Sequence, residues 1–353
     1  MLLEYVVAEP NSYALVLTQT SRQIIKLAGK KTIEKMVAEY TSAVRRRANT
    51  RTQARDLYTA LLRPIPQIDS KSHYVVIPDG CLNLLPFDAL VDQHDRYVVQ
   101  SHVVTYAPSS TTLYLLRSKK LVGKRPKALL AVGGVPYSHS GIKRKLIERG
   151  YTRDFEFEDL PNSEPEARVA SIAIKSSENK LLKGTAATEA NLKQALTQEF
   201  GYIHLAVHAF SSDNPDRASL VILSDPSSDE DGFVQASEIV QMRLPAKLIV
   251  LSACETDVGP IQGEEGISAL STAFLLAGVR TVVSTLWPIE DQTSLILMKA
   301  FYRHLGNGES PADSMATAKR DLLSKYGAKS LPIHWAGFVV QGSEPEEALQ
   351  GAR

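Results

Sequence analysis

The chain has 353 residues with 40 basic and 39 acidic side chains and a formal net charge of +1, so no overall field marks it for nucleic acid or an anionic membrane, and its length supports a sizeable core. Two cysteines, Cys81 and Cys254, are too few for a disulfide framework and fit a reducing cytoplasm. The opening MLLEYVVAEPNS lacks a basic segment and carries Glu4, which argues against a secretory leader, and no apolar run reaches the length of a membrane span.

Residues 2–8, 12–18 and 23–28 read as strands of a meander joined by EPNS and TSR turns. Residues 32–47 and 52–62 have helical apolar spacing. The first ends on Arg45, Arg46 and Arg47, read as a solvated end complementing the helix dipole rather than a nucleic-acid contact. A strand at 73–77 runs into Pro78, Asp79 and Gly80; the LNLLPF after Cys81 reads as core, which makes Cys81 a poor nucleophile. A strand at 97–106, a helix at 110–117 and a basic boundary at 119–127 follow. The strand at 128–132 opens a second unit. Gly133 and Gly134 after it are followed by neither a Walker lysine nor a full GxGxxG, so a phosphate loop is not indicated. Residues 136–165 form a long polar stretch, basic at 143–153 and acidic at 154–159, of the length that marks functional loops. Its Lys and Arg residues make it a candidate for regulatory self-cleavage.

Helices are expected at 164–174 and at 188–198, the latter capped by Thr188, with a short strand at 180–182 between them. YIHLAV at 202–207 is a strand ending on His208; a strand at 219–223 and a short helix at 236–241 lead to LIVL at 248–251, which ends on Ser252, Ala253 and Cys254. Beyond lie a helix at 266–277, a strand at 281–286, helices at 292–305 and 310–326, a strand at 335–340 and a polar tail from Ser343. This alternation implies a mainly parallel sheet flanked by helices, with ligands at the carboxyl ends of the strands.

Two such ends deliver His208 and Cys254, 254 − 208 = 46 positions apart. An imidazole that draws the proton from a thiol makes a nucleophile near neutral pH. A lone cysteine at a strand end otherwise packs as a small hydrophobe, and a lone histidine is more often structural; the conjunction favours chemistry. His204 shares parity with His208, so both rings would face one side of a regular strand, and His204, lying deeper, reads as structural. No cluster of His, Cys and carboxylates has metal-ligand spacing, and no cofactor motif is present.

HLAVHAF at 204–210, LSACETDVG at 251–259, GEEGISALSTAFLLAGVRTVVSTLWPIEDQ at 263–292, HWAGFVVQG at 334–342 and VVIPDGCLNLLPFDAL at 75–90 resemble successive blocks of the bacterial CHAT domain, a family grouped with caspases and separases. The resemblance covers nearly the whole chain. It implies a caspase-like α/β fold, with a degenerate subdomain at 1–122, a catalytic subdomain at 123–342 and a tail at 343–353. It further implies a cysteine endopeptidase working through a thioester, with Cys254 as nucleophile and His208 as base. The backbone amides of Ala209 and Cys254 would form the oxyanion hole. Ala209 stands where the family usually has glycine, which keeps the amide but would strain a glycine-only conformation. Asp291, closing LWPIED at 286–291, matches the separase aspartate that receives a P1 arginine; the alternative is that it caps the helix expected at 292. Trp287 would be a pocket wall or core. Ser252 stands where basic-specific relatives often carry an acid, and Ser252 and Glu255 are expected substrate contacts.

The implied partners are a protein or peptide substrate, with a gasdermin-like protein as one suggestion, and a regulatory repeat domain or activator. The implied setting is bacterial defence or signalling in the cytoplasm, with no cofactor, metal, nucleic acid or membrane. The rival expectation is a catalytically silent module that binds a partner peptide in the same cleft.

Overall fold

Alternation in the first residues becomes a one-face-covered sheet. The computed structural model describes residues 1–118, 127–139, 144, 157–210, 215–225, 227–252, 266–327 and 330–342. In it β1 (Leu2–Val6), β2 (Ser12–Leu17) and β3 (Arg22–Leu27) form an antiparallel meander with Leu3 opposite Val16 and Ala14 opposite Ile25. Ser12, Ala14 and Val16 are buried while Tyr13 faces outward, the period of two expected of such a sheet. Helix α1 (Lys30–Arg45) buries Ile33, Val37, Tyr40 and Val44 on one stripe, and α2 (Arg51–Leu61) buries Ala54, Leu57, Tyr58 and Leu61. β4 (His73–Ile77) pairs in parallel with β1, and β5 (Val103–Tyr106) with β4. The strand expected at 97–106 is shorter than its apolar run. The Gln100 side chain accepts the Tyr97 amide at 2.8 Å and turns Val98–Gln100 into a single 3₁₀ turn, a local side-chain bond that outcompetes the ladder. α3 (Ser110–Ser118) follows.

The next strands of the main sheet are parallel, and the inner ones are buried on both faces. β6 (Leu129–Gly133) is followed by α4 (Ser163–Ala173), β7 (Lys180–Lys183), α5 (Glu189–Leu196) and β8 (Tyr202–Leu205). The Thr188 hydroxyl caps α5 by accepting the Asn191 amide at 3.2 Å, as its sequence signal indicates. A small antiparallel sheet of β9 (His208–Phe210), β10 (Ser219–Val221) and β11 (Phe233–Gln235) comes next, then α6 (Ala236–Ile239) and β12 (Leu248–Leu251). α7 (Gly266–Ala277), β13 (Thr281–Thr285) and α8 (Asp291–Gly306) complete this part. The main strands lie in the order β13-β12-β8-β6-β7. Their registers are parallel, with Ile249 opposite both Val282 and Ile203, and Ala131 opposite both His204 and Leu181. All of LIVL in β12 is buried, and each such side chain contributes roughly 1.5–3 kcal/mol by leaving water.

Finally α9 (Pro311–Tyr326) and β14 (Phe338–Gly342) appear, with β14 parallel to β5. β14 starts later than the expected 335 because Pro332–His334 forms a helical turn, after which the fully buried Trp335 donates its indole N–H to the Ser330 carbonyl at 3.1 Å. The chain divides into two compact units, Met1–Lys120 with Ala312–Ser343, and Leu121–Pro311 with Glu344–Arg353. Within the first, Lys319 is buried, donates to Asp88 and to the Phe338 carbonyl, and lies over the Trp335 ring. Each unit is a mixed α/β structure whose sheet is flanked by helices. Residues 343–353, expected as a polar tail, lie outside the described residues.

The strand expected over 202–207 stops pairing at Leu205; the Ala206 amide still donates to the Val132 carbonyl at 2.9 Å, and Ala206 and Val207 then carry the chain into β9. His204 and His208 therefore belong to different sheets, and parity along a regular strand does not relate them.

Candidate active site

His208 opens β9 and is buried to 6% exposure. Its Nε2 lies 2.8 Å from the carbonyl oxygen of Glu158. A carbonyl only accepts, so Nε2 carries the ring proton and Nδ1 is left with its lone pair. Among the described residues Nδ1 has no hydrogen-bond partner. The ring is bracketed by Tyr137 and Phe157, with centroids 4.5 and 5.1 Å away. Burial lowers the His208 pKa. The Glu158 carbonyl bond opposes that shift, as do the charges of Asp291, Glu158 and Asp159. The result is a neutral imidazole that offers one acceptor nitrogen.

The segment that holds this ring is the end of the long polar stretch before α4. Glu158 supplies its carbonyl to His208, and Asp159 accepts from the Ser138 amide at 3.0 Å and the Ser138 hydroxyl at 2.9 Å. Asn162 donates its amide at 2.8 Å and its side-chain N–H at 2.7 Å to Asp291 Oδ2. The short segment 158–162 thus ties His208 to Asp291. The glycine pair after β6 makes room for this. A Cβ on Gly133 would stand 2.3 Å from the Ser163 carbonyl oxygen, and Gly134, at φ +68°, donates its amide to Ser163 Oγ at 2.9 Å. These glycines seat the start of α4. Residues 140–143 and 145–156, the bulk of the stretch read as a self-cleavage candidate, lie outside the described residues.

Asp291 is the first helical residue of α8, and Glu290 holds the cap position without a side-chain cap bond. Asp291 is half-buried, Oδ2 takes both Asn162 bonds, and no ion pair reaches it among the described residues. Trp287 is buried at 4% exposure. Ser252, at 8% exposure, points into the interior, with Oγ 2.8 Å from Ser294 Oγ. Ser294 donates to Glu166 Oε2 at 2.9 Å, so the Ser252 hydroxyl is the donor to Ser294. The other oxygen of Glu166 lies 3.3 Å from His204 Nε2, and His204 Nδ1 lies 2.8 Å from Tyr302 Oη. The Glu166–His204 contact is within ion-pair distance, but neither atom makes a hydrogen bond among the described residues.

Ala209 sits inside β9 opposite Leu220. Among the described residues the non-glycine positions with positive φ are Arg47, Gln67 and Asp95, so Ala209 carries no glycine-only strain. Cys254 and Glu255 lie outside the described residues. Among the described residues one group of carboxylates, Glu189, Glu230 and Glu238, is close enough to share a cation. Lys193 Nζ already occupies that position at 2.9, 2.6 and 2.7 Å. No described helix is long and apolar enough to cross a membrane.

Sequence reasoning passed over Tyr137, Phe157, Glu158, Asn162, Glu166, Ser294 and Tyr302. The one usable signal was the turn-forming run around Asn162 and Ser163 ahead of α4.

Comparison with known proteins supplies a frame for these residues. Tetratricopeptide repeat protein 28 of Homo sapiens and that of Mus musculus are each 25% identical to this chain, covering 86% of it. The chain spans only 14% of the length of these curated relatives. Similar solved structures include the Saccharomyces cerevisiae separase–securin complex, at 14% identity and a TM-score of 0.47 over 77% of this chain and 15% of that one. Another is the Arg-specific cysteine proteinase gingipain R of Porphyromonas gingivalis, at 9% identity and a TM-score of 0.49 over 89% and 74%. The family model described as the CHAT domain matches residues 51–343. With a match over that much of its length, and with the family's blocks running from 75 to 342, this chain belongs to the CHAT domain family.

Proposed function

We propose that this chain is a cysteine endopeptidase that cleaves a protein after a basic residue, with His208 as base and Cys254 as nucleophile. The observation that carries the reading is the buried, neutral His208, whose Nε2–H is spent on the Glu158 carbonyl and whose Nδ1 has no hydrogen-bond partner among the described residues. The sheet register supports the pairing. Leu205 of β8 lies opposite Leu251 of β12, and His208 and Cys254 each follow three positions later in the chain.

Nδ1 takes the thiol proton, and the thiolate sulfur attacks the scissile carbonyl carbon, forming the C–S bond as the carbonyl π electrons move to oxygen. Ala209 and Cys254 amides stabilise that oxyanion. Tyr137 bridges the His208 amide and the Val221 carbonyl, a pair in the β9–β10 register. Backbone groups alternate along an antiparallel strand, so the Ala209 amide is the one directed away from β10. As the C–N bond breaks, the imidazolium returns its proton to the leaving amine, and water, deprotonated by Nδ1, then cleaves the thioester.

Asp291 is the proposed acceptor for a P1 guanidinium or ammonium. Its carboxylate is half-exposed, acts electrostatically on His208 and keeps one oxygen outside the Asn162 bonds. Ser252 and Trp287, both buried, and Glu255 are the further residues proposed for substrate binding. The relatives are tetratricopeptide repeat proteins of which this chain spans a small part, and we assign selection of the partner or activator to such repeats. A bacterial defence role with a gasdermin-like substrate remains part of this proposal.

The test is a fluorogenic peptide library varied at P1, run on the wild type, Cys254→Ala and Asp291→Asn. Cleavage after Arg or Lys should vanish in the first variant, and preference for a basic P1 should fall by roughly tenfold or more in the second. Turnover that survives Cys254→Ala removes the nucleophile. Cysteine-dependent cleavage that ignores Asp291 removes the pocket and leaves the peptidase. Absence of cleavage with saturable binding of a peptide favours the silent binding module.

A further inference from the structure

We infer that Tyr137 is a positioning residue for His208, acting on both its backbone and its ring; this rests on the peptidase reading above. Tyr137 follows β6 and the Gly133–Gly134 turn, and it is buried. Its hydroxyl accepts the His208 amide at 2.9 Å and donates to the Val221 carbonyl at 2.9 Å. His208 and Val221 are register partners in β9 and β10, so a side-chain hydroxyl is interposed in the ladder at the proposed base. The same ring packs edge-on against the imidazole, with centroids 4.5 Å apart and planes at 61°. One side chain therefore fixes where the His208 backbone lies and how its ring is turned, and these two settings aim Nδ1. Burial keeps the phenol protonated, so it remains both donor and acceptor across the neutral range.

Deleting the hydroxyl has two possible local results. Either the His208 amide and Val221 carbonyl close on each other, which draws the imidazole toward β10, or they stay apart and unpaired. Both displace or loosen Nδ1. The clasp from Ser138 to Asp159 holds Tyr137 and the Glu158 carbonyl at the same neck of chain, so the ring and its Nε2 acceptor are set by one local structure.

The test uses Tyr137→Phe in the full chain, which keeps the ring and removes the hydroxyl. Two readouts are taken: kcat and KM on the best basic-P1 peptide, and the pH dependence of Cys254 alkylation by iodoacetamide, read by peptide mass mapping. We expect kcat to fall by about tenfold or more at nearly constant KM. The alkylation midpoint should rise by about one pH unit toward that of an ordinary thiol. A hydroxyl that only stapled the sheet would change melting without moving that midpoint. Wild-type kcat with an unmoved midpoint overturns the inference. Alkylation does not require peptidase activity. Hence cleavage that persists in Cys254→Ala defeats the functional reading, while the alkylation profile still decides the role of Tyr137. Should Tyr137→Phe show no cooperative melting, 3-fluorotyrosine at position 137 retains the shape and strengthens the donor. It should shift the midpoint, and an unmoved one overturns the inference.

Discussion

Among the described residues the imidazole of His204 takes one hydrogen bond, from Tyr302 Oη to Nδ1 at 2.8 Å, and its Nε2 faces the Glu166 carboxylate at 3.3 Å without a hydrogen bond, with 0% of the residue exposed. His208, a few positions on, has one nitrogen engaged by the Glu158 carbonyl and the other without a partner among the described residues. The same residue type is core in one place and poised in the other, and the surroundings explain why. Tyr302 has its phenol held protonated by burial, so it can donate to Nδ1 and leave the ring proton on Nε2 facing a carboxylate. Around His208 no such partner closes Nδ1 among the described residues, and Ala206 and Val207 carry the chain out of the parallel sheet before it. A buried histidine with a spare acceptor is costly to leave unpaired, and such a group is a candidate for a site of chemistry.

The largest effects should separate the two rings. His204→Ala leaves Glu166 buried without its counterpart and opens a cavity, so unfolding free energy should drop by about 3–5 kcal/mol. Where the variant still folds, its kcat should stay within about threefold of wild type. His208→Ala should do the reverse, lowering kcat/KM by about 10³-fold or more with a stability change below about 1.5 kcal/mol. Chemical denaturation and cleavage assays on both variants check the crossing. Equal stability losses with equal activity losses would erase the distinction between a core and a poised histidine.

The two rings also show what could be read from residues alone. LIVL at 248–251 declares a doubly buried strand, and all four of its residues are buried. His208 was expected at the end of the strand over 202–207, and it instead opens β9 in the small antiparallel sheet. Its acceptor was not legible, because the Glu158 contact uses a backbone carbonyl and any residue at 158 would supply one. Asp291 was legible as an acidic residue before a helix, but its tie to Asn162 spans 129 positions and leaves no local pattern. The shared orientation expected of His204 and His208 failed for a definite reason. Parity holds only while a strand continues, and nothing in AV at 206–207 announces the exit. Small polar residues such as Ser294 gain their role only after α8 packs on α4, where Ser294 meets Glu166.

A smaller effect sharpens the charge state of the poised ring. Burial lowers the folded-state pKa of His208 and outweighs the opposing carboxylates. Between that lowered value and the unfolded value of about 6.5, the unfolded chain binds more protons, so acid favours unfolding. The stabilisation from His208 is complete above about pH 6.5 and is lost as pH falls through the folded value. Comparing unfolding free energies of wild type and His208→Gln from pH 7.5 down to 5 should show the wild-type advantage shrinking. The slope is at most about 1.4 kcal/mol per pH unit for one proton. An advantage that grows on acidification would mean that Asp291, Glu158 and Asp159 prevail over burial and hold the ring as a cation.

The smallest effect concerns the residue after His208. A family glycine at this position would suggest a backbone that only glycine adopts, and Ala209 would then be strained. Here Ala209 is extended within β9, faces Leu220 and is absent from the positive-φ positions of the described residues. Glycine therefore relieves nothing and adds backbone freedom, which costs roughly 0.5–1 kcal/mol within a strand. Ala209→Gly should lower thermal stability slightly and leave kcat within about twofold of wild type, since the amide that would meet the oxyanion is the same in both. Differential scanning calorimetry and steady-state kinetics on this one variant decide the matter. A several-fold gain in kcat would show that the alanine holds its amide away from the oxyanion, and that the contrast between the closed and the poised histidine extends one residue further along β9.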